Sequence, residues 1–392
     1  MKKALLLLPL AALLLTGCEE PADEEDKKPS LNDISNAAVD SLANMYKAAV
    51  NGISLELKLS NANIHVVNEV VTTDTVSNIT SRKKTDAEIK DFGFTLKLDA
   101  RNLKGAIKDW EVAIVIEDLH GTDKIVMNET SVLADNVTYS DIDLGLYLKN
   151  NTLYANLSDP ELKTCAKEVA GMVLGTSTEE IHKIEAMIDQ YAKDLYIEDF
   201  ADFIMGLMAN DVSSIPMEAS TQRVLRASSG IEEIPLLPSE LPADVITSLK
   251  AEFPEILGTV LGPTSPFSKA FNIALSNNLL SKIEVDFKST DLPAETFEGN
   301  DVTFDASLIA NFNETGLLTD ITTSETFDAN VVNNTESSAI YDKTSGQLIS
   351  NKVTNETTHF FGSLAPSLTV TYPTVSILMP DFTGYEAFVM PE

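Results

Sequence analysis

Histidine and carboxylate side chains are the residues here best suited to binding a metal ion or transferring a proton, so their spacing is informative. The chain has four histidines, at His65, His120, His182 and His359. They lie far apart in the sequence, and none belongs to an HExxH motif or to another short spacing typical of a zinc site. His182 shares one side of a predicted helix with Glu185, as solvated surface pairs commonly do. The sequence therefore predicts no metal ligand among the histidines.

Two acidic segments have some of the side chains of a divalent-cation site, but not the full pattern. Asp141-Ile-Asp-Leu-Gly145 begins like a calcium loop, but its glycine comes one position early and Thr152 stands where the bidentate Glu is needed. Asp194, Glu198 and Asp202 recur every fourth residue on one predicted helical face, where like charges repel. A divalent ion would relieve this repulsion, but a salt-screened outer face is the simpler interpretation. We predict no metal and no other cofactor.

Motifs for nucleophilic catalysis or phosphate binding are incomplete. The GxSxG motif of hydrolases does not occur, because Ser229 and Ser345 lack the glycine that should precede them. The segment Gly258–Ser265 has Pro263 where a phosphate loop needs its lysine. Cys165 lies on an apolar stripe of a predicted helix, which favours a buried and unreactive thiol. The sequence therefore predicts that the protein is not an enzyme.

Cys18 is the one residue whose surroundings match a specific chemistry. A positive start, Met1-Lys2-Lys3, precedes an apolar run from Ala4 to Leu15, and Leu15-Thr-Gly-Cys18 completes the segment. The run is shorter than the roughly 20 apolar residues that cross a bilayer, so it is typical of a signal peptide. These residues resemble the lipobox of bacterial lipoproteins.

The lipobox resemblance implies where the mature protein is held. It implies cleavage before Cys18 and attachment of lipid, including palmitate, to this cysteine. Residues 1–17 are then a signal peptide, and residues 18–30 form an acidic, disordered tether. The family is anchored in the bacterial cell envelope. Because Glu19 and not Asp follows the cysteine, the resemblance implies the outer membrane, on its periplasmic or its surface face, if the cell is Gram-negative.

The charge of the chain limits its partners. It has 28 Lys and Arg against 60 Asp and Glu, a formal net charge of -32. Such a surface repels the phosphates of nucleic acids and the headgroups of anionic lipids. We therefore expect no nucleic acid partner, and we expect the lipid on Cys18, not the folded body, to bind the membrane. A protein partner and an apolar ligand both stay open.

Residues 31–392 form a body in which strand and helix periodicities follow one another. Alternation of apolar and polar residues begins at Ile53 and returns near 92–98, 110–116 and 142–148, which predicts an antiparallel meander. Helical spacing predicts one helix near 32–50. It also predicts later helices near 241–261 and 266–276, capped by Ser239 and Ser265. The predicted parts are a β block at 53–157, a helical block at 159–276 and a β block at 282–379.

This order of elements predicts an α+β fold. We expect a large, curved antiparallel sheet, resembling a half-open barrel, with the helical block on its concave side. The sequence leaves open whether the two β blocks form one continuous sheet or two units. In outline the arrangement resembles the cup-shaped folds of the LolA and LppX/LprG lipoprotein carriers, which implies an apolar cavity.

Two functions follow from these expectations. The first is an envelope-anchored acidic lipoprotein that acts as a non-enzymatic surface or partner-interaction protein. The alternative is a carrier or binder of a lipid or other apolar ligand in a cup-shaped cavity. A large apolar void between helices and sheet would favour the carrier, because protein interiors otherwise pack without such holes.

Overall fold

A computed structural model of the chain describes residues 29–127, 137–174, 178–200, 237–261, 265, 270–292, 294–297 and 300–388. Cys18 and the predicted signal peptide lie outside these residues, as does most of the predicted tether. The helices are α1 (Leu31–Ala49), α2 (Pro160–Leu174), α3 (Thr178–Tyr191) and α4 (Ala243–Leu261). Among the described residues, no helix combines the length and the apolar character of a membrane span.

The strands of the described residues run from β1 to β13. They are β1 (Gly52–Asp74), β2 (Ile79–Arg101), β3 (Glu111–Met127), β4 (Val137–Lys149), β5 (Thr152–Asn156), β6 (Leu195–Ile197), β7 (Phe271–Ser276), β8 (Leu279–Lys288), β9 (Asp301–Phe312), β10 (Leu318–Tyr341), β11 (Leu348–Leu364), β12 (Ser367–Thr371) and β13 (Glu386–Ala387). Short 3-10 turns lie at Ile107–Asp109, Ser289–Asp291 and Ala294–Phe297.

All of these strands belong to one sheet of 13 strands. Its order is β13-β6-β5-β4-β3-β2-β1-β11-β10-β9-β8-β7, and β12 continues the line of β11 by pairing with β1 and β10. The pairs are antiparallel except for β13 with β6. The predicted α+β class with a curved antiparallel sheet is confirmed, and the sheet does not close into a clear barrel. The two predicted β blocks are therefore halves of one sheet, joined where β1 meets β11.

Helices α1 and α4 cover one side of the sheet and enclose the main core. Helix α1 begins with a capping box in which Ser30 and Asp33 bond to each other's backbone N–H groups. It packs against α4, to which it is also joined by an ion pair of 2.6 Å between Asp40 and Lys250. The core side chains are buried and apolar: Ile34, Ala38, Val39, Phe253, Leu257, Leu261, Phe271, Ile273, Leu280, Ile283, Ala310, Phe312, Leu318 and Val370.

The sheet thus has a face covered by helices, which we call the covered face, and an opposite open face. Ile53 and Leu55 of β1 point to the covered face, because they pack against the core beneath α1 and α4. Helix α2 packs on β4, and its Cys165 lies close enough to Tyr139 to influence its ionisation. Register places Tyr139 on the same covered face. The predicted helical cover therefore exists and lies on one side.

Four bulges keep the apolar side chains on this covered face along the full length of the strands. They lie in consecutive strands at Asn61, Asp91, Asp118 and Asp141, whose φ angles are 54°, 49°, 53° and 57°. In β1 the bulge separates Leu59 from Ala62, so that both side chains face the core side although their numbers differ in parity. Asn and Asp tolerate this left-handed conformation better than other side-chain-bearing residues. The sequence analysis ended several strands here because the alternation changes phase.

Two sequence-based assignments within 159–276 are wrong. The predicted helix at 266–276 is replaced over 271–276 by strand β7, in which Phe271 and Ile273 are buried and Asn272 is exposed. This alternation is the period of a strand, and it outweighs the capping signal of Ser265. Leu195, assigned to a helix, instead begins the short strand β6. The helix near 241–261 is confirmed as α4.

The chain leaves the sheet after Thr371, so the predicted β block at 282–379 is wrong beyond that residue. The carbonyl oxygen of Pro373 passes directly over Gly52, where any side chain would collide with it. Pro373 has no N–H for a ladder bond, which favours departure from the sheet. The C-terminal segment then crosses the open face, where Phe382 stacks on Tyr154 with 3.8 Å between ring centroids.

A buried arginine holds this C-terminal segment. Arg101 is 6% exposed and donates to the carbonyl oxygens of Val375 at 2.7 Å and Ile53 at 2.8 Å. It also pairs with Asp99 at 3.4 Å. One guanidinium group therefore joins the C-terminal segment to the first two strands.

Replacing Arg101 with Met should lower the free energy of unfolding by about 2–4 kcal/mol, because partly buried carbonyls lose their charged donor. Urea denaturation measures this loss. The matched control is Arg82→Met, at an arginine whose side chain is 62% exposed, and it should cost less than about 1 kcal/mol. Equal losses for the two variants would contradict the role given to Arg101.

Candidate functional site

The predicted lipid-attachment residue, Cys18, lies outside the described residues, so its acylation stays a prediction. Asp202 lies outside them too. Cys165 is a free thiol and is half-buried. Burial, reinforced by the nearby Asp123 and Glu168 carboxylates, raises the pKa of the Cys165 thiol, which disfavours the reactive thiolate.

The acidic motif at Asp141 forms part of a cleft on the open face, and two of the carboxylates in this cleft already have partners. The cleft has a volume of about 420 Å³ and is lined by Glu117, Asp118, Asp143 and Tyr147 among others. Asp143 accepts the backbone N–H of Asp118 at 3.0 Å, and Glu117 pairs with Lys97 at 2.5 Å. Across the described part of the chain, no three His, Cys, Asp or Glu residues are placed to hold a metal ion.

A different feature, which sequence analysis missed, stands out in the structure: the outer ends of four long strands extend beyond the other described strands. The described part of β3 ends opposite Thr85, and β9 begins opposite Asn330. Among the described residues, β2, β1, β11 and β10 alone continue past these points, side by side. We call this part, residues 68–84 and 331–358, the projection. It extends for about 23 Å, at roughly 3.3 Å per residue.

Both faces of the projection are exposed to solvent in the described structure. No described side chain between Asn63 and Phe92, or between Thr319 and Thr369, is buried. The helices make their main contacts with β1, β4, β7 and β8, at the other end of the sheet or along it. Cross-strand polar pairs replace a core, including Thr72 with Thr354 at 3.0 Å and Asn68 with Glu356 at 3.0 Å.

Two histidines that are far apart in sequence meet at the root of the projection, on its open face. His65 of β1 lies opposite Phe361 of β11, and His359 lies two residues before Phe361 on the same face. Their rings lie 4.6 and 4.7 Å from that of Phe361. Each also has a carboxylate partner, Asp86 at 2.6 Å for His65 and Asp328 at 2.7 Å for His359. This pair could not be predicted from the sequence, because only strand register creates it.

Burial pushes the pKa of Asp86 up, but its hydrogen bonds from His65 and Lys84 outweigh that effect and lower the pKa overall. The carboxylate is therefore ionised at neutral pH. Each histidine bonded to a carboxylate is a half-exposed polar group on an accessible sheet face, suited to hydrogen bonding with a partner. A pair of imidazoles with separate carboxylates offers no shared metal site.

The far end of the projection, which we call the tip, comprises residues 74–79 and 338–352. It contains the turn between β1 and β2 and the turn between β10 and β11, which lie side by side because Thr75 donates to Asn351 at 2.9 Å. Asp74 organises both turns. Its carboxylate accepts the Ser350 hydroxyl at 2.8 Å and the backbone N–H groups of Val76 and Asn351 at 2.9 and 3.3 Å.

The projection differs from the rest of the chain in charge. It contains five Lys and Arg and five Asp and Glu, so it is neutral, while the remaining residues hold 23 basic and 55 acidic side chains. The full net charge of -32 therefore belongs to the other parts. A segment without net charge approaches another surface without the repulsion that surrounds the body.

Three cavities in the described part of the chain are open clefts and not closed apolar chambers. Besides the acidic cleft, one of about 470 Å³ lies beside Lys47, Leu279 and Glu314, and one of about 230 Å³ lies between Asp305 and Asp328. All three open to solvent and have charged side chains in their walls. The apolar space beneath α1 and α4 is filled by the core.

Comparisons with known proteins do not place the chain in a family. No family model and no curated protein matches it. Among solved structures the chain is similar to the outer membrane protease OmpT from Escherichia coli, over 82% of this chain and 98% of that one. The identity is 8% and the TM-score 0.19. A TM-score this low carries no argument about fold, activity or location.

The hydrogen bonds to Asp74 predict a pH dependence. They lower its pKa from 3.8 to about 2. Because the folded pKa lies below the unfolded one, ionised Asp74 stabilises the fold above the unfolded value, and this stabilisation is lost as the pH falls toward about 2. In Asp74→Asn, the free energy of unfolding, measured by urea denaturation, should therefore fall less steeply toward acidic pH than it does in the wild type. Asp301→Asn, an exposed carboxylate at the start of β9, is the control, and an equal flattening there would contradict the assignment.

Proposed function

We propose that this protein is an envelope-anchored acidic lipoprotein, held by lipid on Cys18, that acts as a non-enzymatic surface or partner-interaction protein. In a Gram-negative cell its location would be the outer membrane. The lipobox resemblance supports the anchor, and the described fold supports the interaction role. In this proposal the charged body keeps the protein soluble beside the membrane, and the projection makes the contact.

The observation that carries the interaction role is the projection itself. Four strands of a neutral sheet, with both faces accessible, extend beyond the part of the sheet that the helices cover. A protein that needed only to fold would gain nothing from such an extension, because it buries no apolar core. At the root of the projection, on the open face of the sheet, the histidines, Phe361 and neighbouring carboxylates supply the hydrogen-bonding and aromatic groups that interfaces use.

The alternative function, that of a carrier of an apolar ligand, has less support. That function requires an enclosed chamber lined by apolar side chains. Under α1 and α4 the corresponding space is occupied by Val39, Leu257, Leu280, Ile283 and their neighbours, several of them 1% exposed or less. The resemblance to the cup-shaped carriers therefore stays one of element order.

The anchor is tested by labelling bacteria that express the chain with radioactive palmitate. The wild type should carry the label and sediment with membranes, whereas Cys18→Ala should carry none and stay in the soluble fraction. Cys165→Ala is the matched control, because it removes the other of the two cysteines, and it should label like the wild type. Label on Cys18→Ala would overturn the anchor.

The interaction role is tested by placing a photo-reactive amino acid at Val332 of the projection in living cells. Irradiation should give an adduct with a partner protein at that position. Met187 on α3 is the matched control, since the two side chains are 58% and 57% exposed. Adducts at both positions, or at neither, would count against a specific role for the projection.

A further inference from the structure

The outer edge of β10 is free along the projection in the described part of the chain. Strand β9 pairs with β10 as far as Asn330, and one further bond follows, from the N–H group of Val332 to the Asn300 side chain at 3.0 Å. From 333 to 341 no described strand lies beside this edge, which spans about 30 Å at roughly 3.3 Å per residue. Unpaired N–H and C=O groups along such an edge are a template for another strand.

The two outer strands of the projection differ in how their edges are protected. In β2 three basic residues, Arg82, Lys83 and Lys84, follow one another, and basic side chains on an edge oppose pairing with a further strand. From 333 to 341 β10 contains no Lys, Arg or Pro, and Glu336 is its one charged residue. The edge of β10 therefore has the character of a strand that can pair.

Exposed apolar side chains lie at both ends of this free edge. Val332 stands just before it and is 58% exposed, and Ile340 and Tyr341 end it with exposures of 51% and 59%. A strand with apolar residues at its two ends is complementary to a second copy of itself in antiparallel orientation, because each end then meets the other. A different partner would need the same pattern in its own sequence, whereas a second copy supplies it by symmetry.

Val332 and Tyr341 also share one face of the sheet. Val332 lies opposite Thr357, which strand register places on the open face. Tyr341 follows Ile340, which lies opposite Ser350 on the covered-face side, so Tyr341 is on the open face. The bulge that follows Val332 makes this possible although the two residue numbers differ in parity. In an antiparallel pair of β10 strands these two side chains therefore meet on the same face.

The distribution of charge favours the antiparallel arrangement of two copies. The projection is neutral, while the remainder of each chain holds the full net charge of -32. Two copies that met through their acidic bodies would repel each other. Antiparallel strands send the two bodies in opposite directions. The free edge then keeps the bodies about 30 Å apart, which is more than three screening lengths of about 8 Å in physiological salt.

We propose that β10 pairs with β10 of a second copy of this chain, antiparallel and about a two-fold axis at Ser337, so that the two projections form one continuous sheet. The new ladder runs from 334 to 340 in each copy, and Tyr341 lies beside the partner's Val332. Addition of a strand to a sheet edge is a common mode of protein recognition. This inference names a partner for the projection and therefore rests on the proposed function.

The position of the axis follows from the free edge, whose midpoint is Ser337. In this register Glu336 lies opposite the partner's Ser338 and not opposite the partner's Glu336, which avoids a like-charge pair. Within each chain Lys352 lies opposite Ser338 on the neighbouring strand β11. Glu336 of one copy and Lys352 of the other therefore flank a small serine on the same face, so opposite charges lie near each other at the centre of the interface.

The test uses the purified full chain with Cys18→Ala, so that no acyl anchor contributes to association. Analytical ultracentrifugation over a range of protein concentrations measures its state, and we expect an equilibrium between monomer and dimer. The dimer should weaken when the salt is lowered to about 0.01 M, because the screening length then reaches about 30 Å and the two acidic bodies repel each other.

Substitution of Ser337 tests the axis itself. In the same background, Ser337→Lys places two like charges directly opposite each other and should raise the dissociation constant of the dimer about fivefold or more, as should Ser337→Asp. An equimolar mixture of the two variants should recover the dimer, because each pair then joins opposite charges, and this recovery requires that both variants fold. The matched control is Ser81→Lys at an exposed serine of the other outer strand, β2, which should change the constant less than about twofold.

Three results would overturn the proposal. They are a monomer at every concentration, equal weakening of the dimer by Ser337→Lys and Ser81→Lys, and no recovery in the mixture. The proposed function is tested separately, by the adducts at Val332 in cells. A monomeric chain that still gives an adduct at Val332 with a different protein would overturn this inference alone, whereas the absence of any adduct would count against the proposed function.

Discussion

The pairing of β1 with β11 and β12 is the constraint on which the rest of the structure depends. β1 meets β11 from Asn63 opposite Ser363 to Asp74 opposite Lys352, and it meets β12 from Ser54 to Lys58. The partners stand about 300 residues apart in the chain, but the entropy of closing a loop grows only with the logarithm of its length. Without this contact the chain would form two separate meanders with an open edge each. With it, the chain forms one sheet, and the hairpins β1–β2 and β10–β11 lie together in the four-stranded projection.

The projection shows how a sheet persists where little apolar surface is buried. A hairpin of two strands is marginal in water, while three or more strands share ladder bonds and side-chain contacts on both sides. Here the central strands β1 and β11 have neighbours on both edges. Threonine pairs, an Asn–Glu bond and the ion pair of Arg82 with Glu69 cross the strands. Each pair contributes little, roughly 0.2–1 kcal/mol, so their number matters more than any single one.

The covered half of the fold was readable from the sequence, and the projection was not. Alternation in Ile53–Leu59 and helical spacing in α1 and α4 mark elements that bury apolar surface, and burial is what a hydrophobic pattern records. Val66 to Thr73 is rich in β-branched residues, which favour strands. However, both faces of this segment are partly exposed to solvent, so apolar and polar residues do not alternate along it. The cluster of His65 with His359 could not be predicted from the sequence for a second reason. It depends on the register between strands that are distant in sequence.

Net charge hides a similar distinction, because it averages over a molecule more than one screening length across. At about 8 Å of screening, two regions separated by several strand repeats behave as independent surfaces. The acidic body and the neutral projection are such regions. The relevant quantity for any partner is then the charge within one screening length of the contact. That quantity can be obtained only once register has shown that residues 74–79 and 338–352 share one end of the sheet. The fold therefore separates two surfaces that composition had merged, namely a strongly acidic body and a projection without net charge.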